Sequence, residues 1–245
     1  NVFRLLAICA FALLSTACSS PENDKLFKLL PSAKTKITFN NQLNETDSFN
    51  VLTFEYIYNG AGVGVGDVNN DGFTDIFFAG NMVSSKLYLN KGGFEFEDIT
   101  EKSKVSTSVW CTGVAMVDIN QDGLLDLYVS TIQPSLNQPS VPNLLFLNKG
   151  IDKNGTPSFQ EVAATVGLAD SSYSTQATFL DYDLDGDQDM YLLTNALESF
   201  NRNQAIGQKN DGMAKSTDRF YRNDGIVEGL PHFTDVSREA GIQLE

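Results

Sequence analysis

A nine-residue pattern of acidic residues and glycine occurs three times in this chain of 245 residues. The pattern reads D-x-[DN]-x-D-G-x-x-D, and its copies begin at Asp67, Asp118 and Asp181, which lie 51 and 63 residues apart. One short apolar segment precedes each copy and another follows it. Self-similarity at this spacing is typical of folds built from repeated supersecondary units. The chain therefore has to fold as three similar units, each organised around one acidic loop.

Four strands are predicted in each unit. Strand a leads into the acidic loop, strand b leaves it, and strand c ends in an Asn-x-Gly turn that favours a hairpin to strand d. Strands a and b are almost continuously apolar, which indicates burial on both faces. The predicted segments are 62–66, 113–117 and 177–180 for strand a, 76–79, 127–130 and 190–193 for strand b, 86–92, 144–150 and 219–225 for strand c, and 94–100, 159–163 and 233–237 for strand d.

A four-stranded unit repeated at this spacing is typical of a β-propeller blade. A parallel β-helix has much shorter turns, and an immunoglobulin-like sandwich does not repeat its sequence internally. The predicted fold is therefore all-β, a β-propeller of four-stranded blades with a calcium loop between strands a and b. Propellers generally close with about four to eight blades, so three blades leave the ring incomplete. We expect the chain to be a fragment of a longer protein.

The acidic loops are predicted to bind three calcium ions. Oxygen donors at alternate positions of a tight loop converge on one point, the glycine permits the bend, and a final aspartate closes the shell. The predicted ligands are the side chains of Asp67, Asn69, Asp71 and Asp75, of Asp118, Asn120, Asp122 and Asp126, and of Asp181, Asp183, Asp185 and Asp189, with the backbone carbonyls of Phe73, Leu124 and Asp187.

Two other interpretations of these loops compete with calcium binding. An EF-hand needs a bidentate glutamate at the twelfth loop position, where this chain has Phe78, Val129 and Leu192. A standard EF-hand is therefore excluded. The second alternative is an acidic turn capped by its own aspartate side chains. It stays open, although so many donors within nine residues would repel one another without a cation.

The overall charge limits the function further. Asp and Glu number 31 against 17 Lys and Arg, which gives a formal net charge of −14 and argues against nucleic acid or an anionic membrane surface as a partner. A single histidine, His232, leaves little material for a His-based catalytic triad or a His-rich zinc site. Three bound Ca²⁺ ions would change the formal net charge from −14 to −8, so calcium binding would account for part of the excess of acidic residues.

The amino terminus has the features of a secretory signal. A basic start, an apolar run too short to span a bilayer and then small residues predict a signal peptide over residues 1–17. The sequence around Cys18 resembles the lipobox of bacterial lipoproteins, with plain signal cleavage as the alternative. We therefore expect lipid on Cys18, a lipid-anchored tether over residues 18–37, and a segment at residues 38–59 that packs on the first blade. Cys111 is expected to be a small buried residue at a strand start.

The repeats resemble the FG-GAP or VCBS repeat, which forms the blades of integrin α-subunit propellers. Residues 58–67 and the Leu-Tyr-Leu-Asn-Lys-Gly element at 87–92 are most similar to bacterial VCBS-repeat surface lipoproteins that carry a C-terminal ASPIC/UnbV domain. The resemblance covers about residues 38–245. Two departures are an asparagine in place of the second aspartate in the first two loops, and Lys104 where the later repeats have Gly167 and Gly241.

The resemblance implies blades at residues 60–105, 106–168 and 169–245 and a role in extracellular binding or adhesion. In such a blade the b–c loops lie opposite the calcium loops, and here they lengthen from residues 80–85 to 133–143 and 198–218. The last is polar and basic, with Arg202, Lys209 and Lys215, and Arg219 directly after it. We expect a non-enzymatic outer-membrane or cell-surface module that recognises protein or glycan through these loops, with membrane attachment through the lipid only. The alternatives are a calcium-dependent polysaccharide-degrading enzyme and a scaffold for a missing C-terminal domain.

Overall fold

The computed structural model describes residues 26–134, 140–195 and 210–243. Twelve strands and three one-turn helices lie in these ranges. The strands are β1 Val63–Gly66, β2 Asp75–Phe78, β3 Lys86–Asn90, β4 Phe96–Asp98, β5 Cys111–Val117, β6 Asp126–Thr131, β7 Leu144–Ile151, β8 Pro157–Glu161, β9 Ser174–Leu180, β10 Asp189–Thr194, β11 Arg219–Val227 and β12 Leu230–Asp235. The helices are α1 Ser32–Thr35, α2 Thr100–Ser103 and α3 Ala163–Val166.

The strands form three four-stranded antiparallel sheets in the orders β1-β2-β3-β4, β5-β6-β7-β8 and β9-β10-β11-β12. Each sheet therefore contains one predicted repeat, with its strands paired in chain order as in a propeller blade. The all-β prediction is confirmed at this level. Strand starts differ from the sequence prediction by a few residues, since β5 begins at Cys111 and β9 at Ser174.

The core lies between the sheets. One apolar cluster joins the first and second sheets around Phe77, Val114 and Phe146. A second cluster joins the second and third sheets around Tyr128, Leu192 and Tyr221. The first strands of neighbouring sheets, β1 with β5 and β5 with β9, lie side by side, and the three sheets do not close into a ring within the described ranges. Apolar burial between successive sheets therefore holds the repeats together.

Burial of strands a and b was predicted on both faces, and the structure corrects this for strand β1. All six residues of β6 are buried, as expected for a strand between two packed faces. In β1, however, Val63 and Val65 are 55% and 63% exposed. The glycines that alternate with them face Met116 of the second sheet. The valines point the other way, where no described sheet packs against them.

A left-handed turn follows the last strand of each sheet. It is centred on Lys104, Gly167 and Gly241, whose φ angles are 61°, 88° and 79°. The departure at Lys104 is therefore accommodated without a change in backbone conformation. At Gly167 a Cβ atom would lie 2.6 Å from the carbonyl oxygen of Phe233, so this copy requires glycine because the third sheet approaches closely.

The segment at residues 38–59 contacts two sheets. Phe39 stacks on Phe78 of the first sheet with ring centroids 5.1 Å apart, and the Thr38 N–H donates to the Tyr88 hydroxyl at 3.2 Å. Farther along, Phe54 and Ile57 form a buried cluster with Trp110 and Ile132 of the second sheet. The segment therefore contacts the first sheet at Phe78 and Tyr88 and reaches the second.

Candidate metal-binding loops and the opposite face

The three acidic loops share one backbone conformation. Each follows the first strand of its sheet and ends at the first residue of the second strand. The fourth and sixth positions of each loop are left-handed, with φ angles of 55° and 88° at Asn70 and Gly72, 58° and 85° at Gln121 and Gly123, and 63° and 99° at Leu184 and Gly186. Glycine at the sixth position adopts this conformation without steric cost, which explains its place in the pattern.

The first aspartate of each loop organises the backbone. Asp67 Oδ1 accepts the N–H of Asp71 at 3.1 Å, and Asp67 Oδ2 accepts the N–H of Gly72 at 2.8 Å. Asp118 and Asp181 make the same two bonds in their loops. The aspartate at the fifth position of each loop caps the seventh residue, as Asp71 Oδ1 accepts the Phe73 N–H at 2.9 Å. Leu124 and Asp187 are held in the same way by Asp122 and Asp185.

The closing aspartates are buried and join the loop to the third strand of the sheet. Asp75, Asp126 and Asp189 are each 0% exposed. One oxygen of each accepts the N–H of the second loop residue, at 2.9, 3.0 and 3.0 Å. The other accepts the N–H of Asn90, Asn148 or Asn223, at 2.7, 2.7 and 2.9 Å. Each closing aspartate thus has a structural role, and each oxygen keeps a further lone pair.

The third loop brings its carboxylates closest together. One oxygen from each of Asp181, Asp183 and Asp189 lies within 4.8 Å of the others. Among the described residues this is the only group of three His, Cys, Asp or Glu side chains so arranged. The first two loops have Asn69 and Asn120 in place of Asp183, so they offer an amide oxygen at that position. Carboxylate and amide oxygens are the donors that hard cations prefer.

Burial and like charge oppose ionisation in these loops. Burial, aided by the neighbouring loop carboxylates, raises the pKa of Asp75 to about 6 and that of Asp126 to about 7. In the third loop, desolvation and the carboxylates of Asp185 and Asp189 raise the pKa of Asp187 to about 6. The pKa of Asp189 is also raised, first by burial. An acidic side chain at the seventh position occurs only in this loop, which makes it the most acidic of the three.

Sequence reasoning missed the residues that link each loop to the next sheet. Asn70 Nδ2 donates to the Gly123 carbonyl at 2.8 Å, and Gln121 Nε2 donates to the Gly186 carbonyl at 2.7 Å. Both lie at the fourth loop position, where the third loop has Leu184. The amide side chain in two of three copies was the available signal, but nothing in the sequence indicated its partner.

The loops between the second and third strands lie at the opposite end of the sheets. On this side a groove of about 760 Å³ is lined by Phe49, Met82, Val109, Trp110 and Pro134, among others. Of the basic residues predicted in the longest loop, Arg202 and Lys209 lie outside the described residues. Lys215 lies over the Tyr173 ring at 5.6 Å. Arg219, at the start of β11, donates to the carbonyls of Ala214 and Thr217, so both side chains have partners within the chain.

The amino-terminal predictions are largely beyond the described part. The signal peptide and the lipidation residue Cys18 fall within residues 1–25. No helix in the described ranges has the length and apolar character needed to cross a bilayer. Cys111 is fully buried at the start of β5, as predicted, and burial raises the pKa of its thiol.

The fold and its loops define a repeat protein made of blade-like four-stranded sheets. Residues 38–129 match the family model described as FG-GAP-like repeat. Over 155 residues the chain is 28% identical to cartilage acidic protein 1 of Xenopus tropicalis, an alignment that covers 61% of this chain and 22% of that protein. Over these residues the chain is similar to FG-GAP-like repeats and to part of cartilage acidic protein 1. The chain spans about a fifth of the length of this relative, since the alignment covers 22% of it.

Proposed function

We propose that this chain is a calcium-stabilised extracellular module that recognises a protein or glycan through the face opposite its acidic loops. The FG-GAP-like match supports the general role, because FG-GAP repeats are integrin-like extracellular binding modules. The similarity to cartilage acidic protein 1 is consistent with the same class. The observation that carries the calcium part is the convergence of Asp181, Asp183 and Asp189 within 4.8 Å.

In this proposal the third loop binds calcium through Asp181, Asp183, Asp185, Asp189 and the carbonyl of Asp187. The cation would neutralise carboxylates that otherwise repel one another, as the raised pKa values of Asp187 and Asp189 indicate. The first two loops have the same backbone conformation, so they would bind in the same way with an asparagine at the third position. A loop with fewer charged ligands binds calcium more weakly, so the third loop is the tightest of the three sites.

The opposite face is the proposed recognition surface because its loops vary most in length between the repeats. Recognition residues concentrate on such loops when a rigid sheet positions them. The groove beside Trp110 lies on this face and is mainly apolar. Membrane attachment through lipid on Cys18 belongs to the same proposal. Mass spectrometry of the membrane fraction tests it, with Cys18→Ser as the variant that should lose the lipid.

A binding role is favoured over catalysis. The FG-GAP-like match and the similarity to cartilage acidic protein 1 are consistent with a binding module. His232 is exposed on β12, and the raised carboxyl pKa values occur within the acidic loops and are explained by burial and like charge.

Thermal unfolding with calcium and with a chelator tests the proposal. Calcium should raise Tm, because a ligand that binds only the native state stabilises it. Asp183→Asn should weaken binding at the third loop by about tenfold, the effect expected when one charged ligand is neutralised. Asp47→Asn, at an exposed position far from the loops along the chain, is the matched control for charge. An unchanged Tm on chelation would refute the calcium part, and a glycan array probed with and without calcium would test the recognition part.

A further inference from the structure

Four side-chain amides connect the acidic loops to the sheet that follows. At the third loop position, Asn69 Nδ2 donates to the Gly155 carbonyl at 2.9 Å and Asn120 Nδ2 donates to the Gly229 carbonyl at 3.4 Å. Both acceptors lie in the hairpin that joins the last two strands of the next sheet. At the fourth position, Asn70 and Gln121 donate to the sixth-position glycine of the next acidic loop. The same two links therefore occur at both junctions between sheets.

The third-position links explain why these residues are asparagine. A carbonyl oxygen can only accept a hydrogen bond, so the amide nitrogen of Asn69 has to face Gly155. The same nitrogen donates to Asp71 Oδ2 at 3.0 Å within the loop. Its oxygen is left on the loop side, and the equivalent oxygen of Asn120 is buried without a hydrogen-bond partner in the described structure. An aspartate here would place a negatively charged oxygen against the carbonyl of the next sheet.

The fourth-position links act on the neighbouring loop itself. Gln121 Nε2 donates to the carbonyl oxygen of Gly186 at 2.7 Å. The N–H of Gly186 donates to Asp181 Oδ2 at 3.1 Å. Gly186 lies between Asp185 and Asp187, two of the proposed calcium ligands. Gln121 therefore restrains the backbone of the third loop from outside, while its own side chain contributes no oxygen to that loop.

The geometry points to Asn70 and Gln121 as positioning residues for the cation loop of the next sheet, so that the calcium affinity of one loop depends on the loop before it. The inference rests on the calcium binding proposed above. Gln121, a residue of the second sheet, then contributes to the free energy of calcium binding at the third loop. Two loops related in this way are energetically coupled, because calcium that orders the backbone of one loop favours calcium binding in the other.

Calcium titration of the full chain, followed by the NMR signals of Gly72, Gly123 and Gly186, measures each loop separately. Gln121→Ala should weaken calcium binding reported by Gly186 about two- to tenfold, the range expected for one net hydrogen bond. Binding reported by Gly72 should not change. Gln121→Asn should restore the affinity, because Asn70 makes the same contact from the equivalent position. Leu184→Ala is the matched control, since Leu184 has no side-chain hydrogen-bonding group and is 85% exposed.

The two proposals fail in different ways. If calcium binds the wild-type chain and Gln121→Ala leaves the Gly186 response unchanged, the coupling is refuted and calcium binding stands. If no loop of the wild-type chain binds calcium, the calcium proposal is refuted, and amide hydrogen exchange in metal-free protein then tests the restraint. Faster exchange at Gly186 in Gln121→Ala than in Leu184→Ala would support positioning by Gln121. Equal rates would refute it.

Discussion

Asp75 and Asp126, the closing aspartates of two successive acidic loops, are connected by an unbroken chain of hydrogen bonds. Asp126 Oδ1 accepts the Asn148 N–H at 2.7 Å, and Asn148 Nδ2 donates to the Val68 carbonyl at 2.9 Å. The N–H of Val68 in turn donates to Asp75 Oδ2 at 2.9 Å. The chain crosses from the second sheet to the first through buried groups, so Asn148 has a role that its local sequence does not reveal.

Replacement of Asn148 should therefore cost more than replacement of its equivalent in the first sheet. Asn148→Ala removes the donor to the buried Val68 carbonyl and is expected to lower the free energy of unfolding by about 1–3 kcal/mol. Asn90→Ala removes a partly exposed bond to Thr74 within its own sheet and should cost less. Chemical denaturation of both variants measures the difference, and equal losses would show that the bond between sheets adds nothing.

The stability of metal-free protein should fall as the pH rises from about 4 to 7. Burial raises the pKa of Asp126 from its ordinary value of 3.8 to about 7 in the folded state, so the folded protein holds more protons than the unfolded chain in this range. The stabilisation is complete below the unfolded pKa and is lost as the pH passes through the folded pKa.

Unfolding in a chelator at several pH values tests this expectation. Asp126→Asn removes the titrating group, so the variant should show a smaller loss of stability between pH 4 and 7 than the wild type does. Parallel pH profiles for the two proteins would contradict the expected ionisation of Asp126.

Two left-handed glycines at equivalent positions should respond differently to a methyl group. At Gly241 nothing lies within 4 Å of a Cβ. Gly241→Ala should therefore lower the free energy of unfolding only by the cost of the left-handed backbone, about 1–2 kcal/mol. Gly167→Ala also places its Cβ 2.6 Å from the Phe233 carbonyl and should be clearly less stable. Differential scanning calorimetry compares the two variants. Similar Tm values would mean that the third sheet can move away from position 167 without loss of stability.

The segment before the first sheet should contribute to stability like a part of the core. Ile57 is fully buried against Phe54 and Trp110, so Ile57→Ala is expected to cost about 2–5 kcal/mol. Leu52, which is 90% exposed in the same segment, provides the control, and Leu52→Ala should change stability by no more than about 0.5 kcal/mol. A small effect of Ile57→Ala on urea denaturation would indicate that the segment is dispensable.

Most of the secondary structure followed from the sequence because its signals are local. The spacing of Asp67, Gly72 and Asp75 predicts the acidic loop, and apolar segments on either side predict the paired strands. The Asn-x-Gly turn lies in the hairpin between β3 and β4, as predicted. In the other two sheets the prediction is wrong, because strand c continues through Asn-x-Gly with a shift in register and ends at Ile151 and Val227. Calcium ligation by the fifteen named residues stays a prediction, with the third loop the best supported.

The remaining features depend on how one sheet meets another, which a local pattern does not encode. The exposure of Val63 follows from the absence of a described sheet on its side of β1, although its sequence is that of a buried strand. The partners of Gln121 and Asn148 lie 65 and 80 residues away in the chain. Trp110 packs against Phe54 and Ile57 of the amino-terminal segment, which lie more than 50 residues before it in the chain.

The glycines in and just before β1 allow the first and second sheets to lie in close contact. At Gly62, Gly64 and Gly66 a Cβ would lie 2.6 to 3.1 Å from Val114, Met116 or Leu125. The first and second sheets therefore leave no room for a side chain at these positions. On the corresponding side of β5 the residues are Gly113, Ala115 and Val117, which grow larger toward the acidic loop. The side chains on this side of β5 are therefore larger at the loop end than at the start of the strand. A larger side chain at Gly62 or Gly66 would therefore push the first sheet away from the second and widen the contact between two repeats.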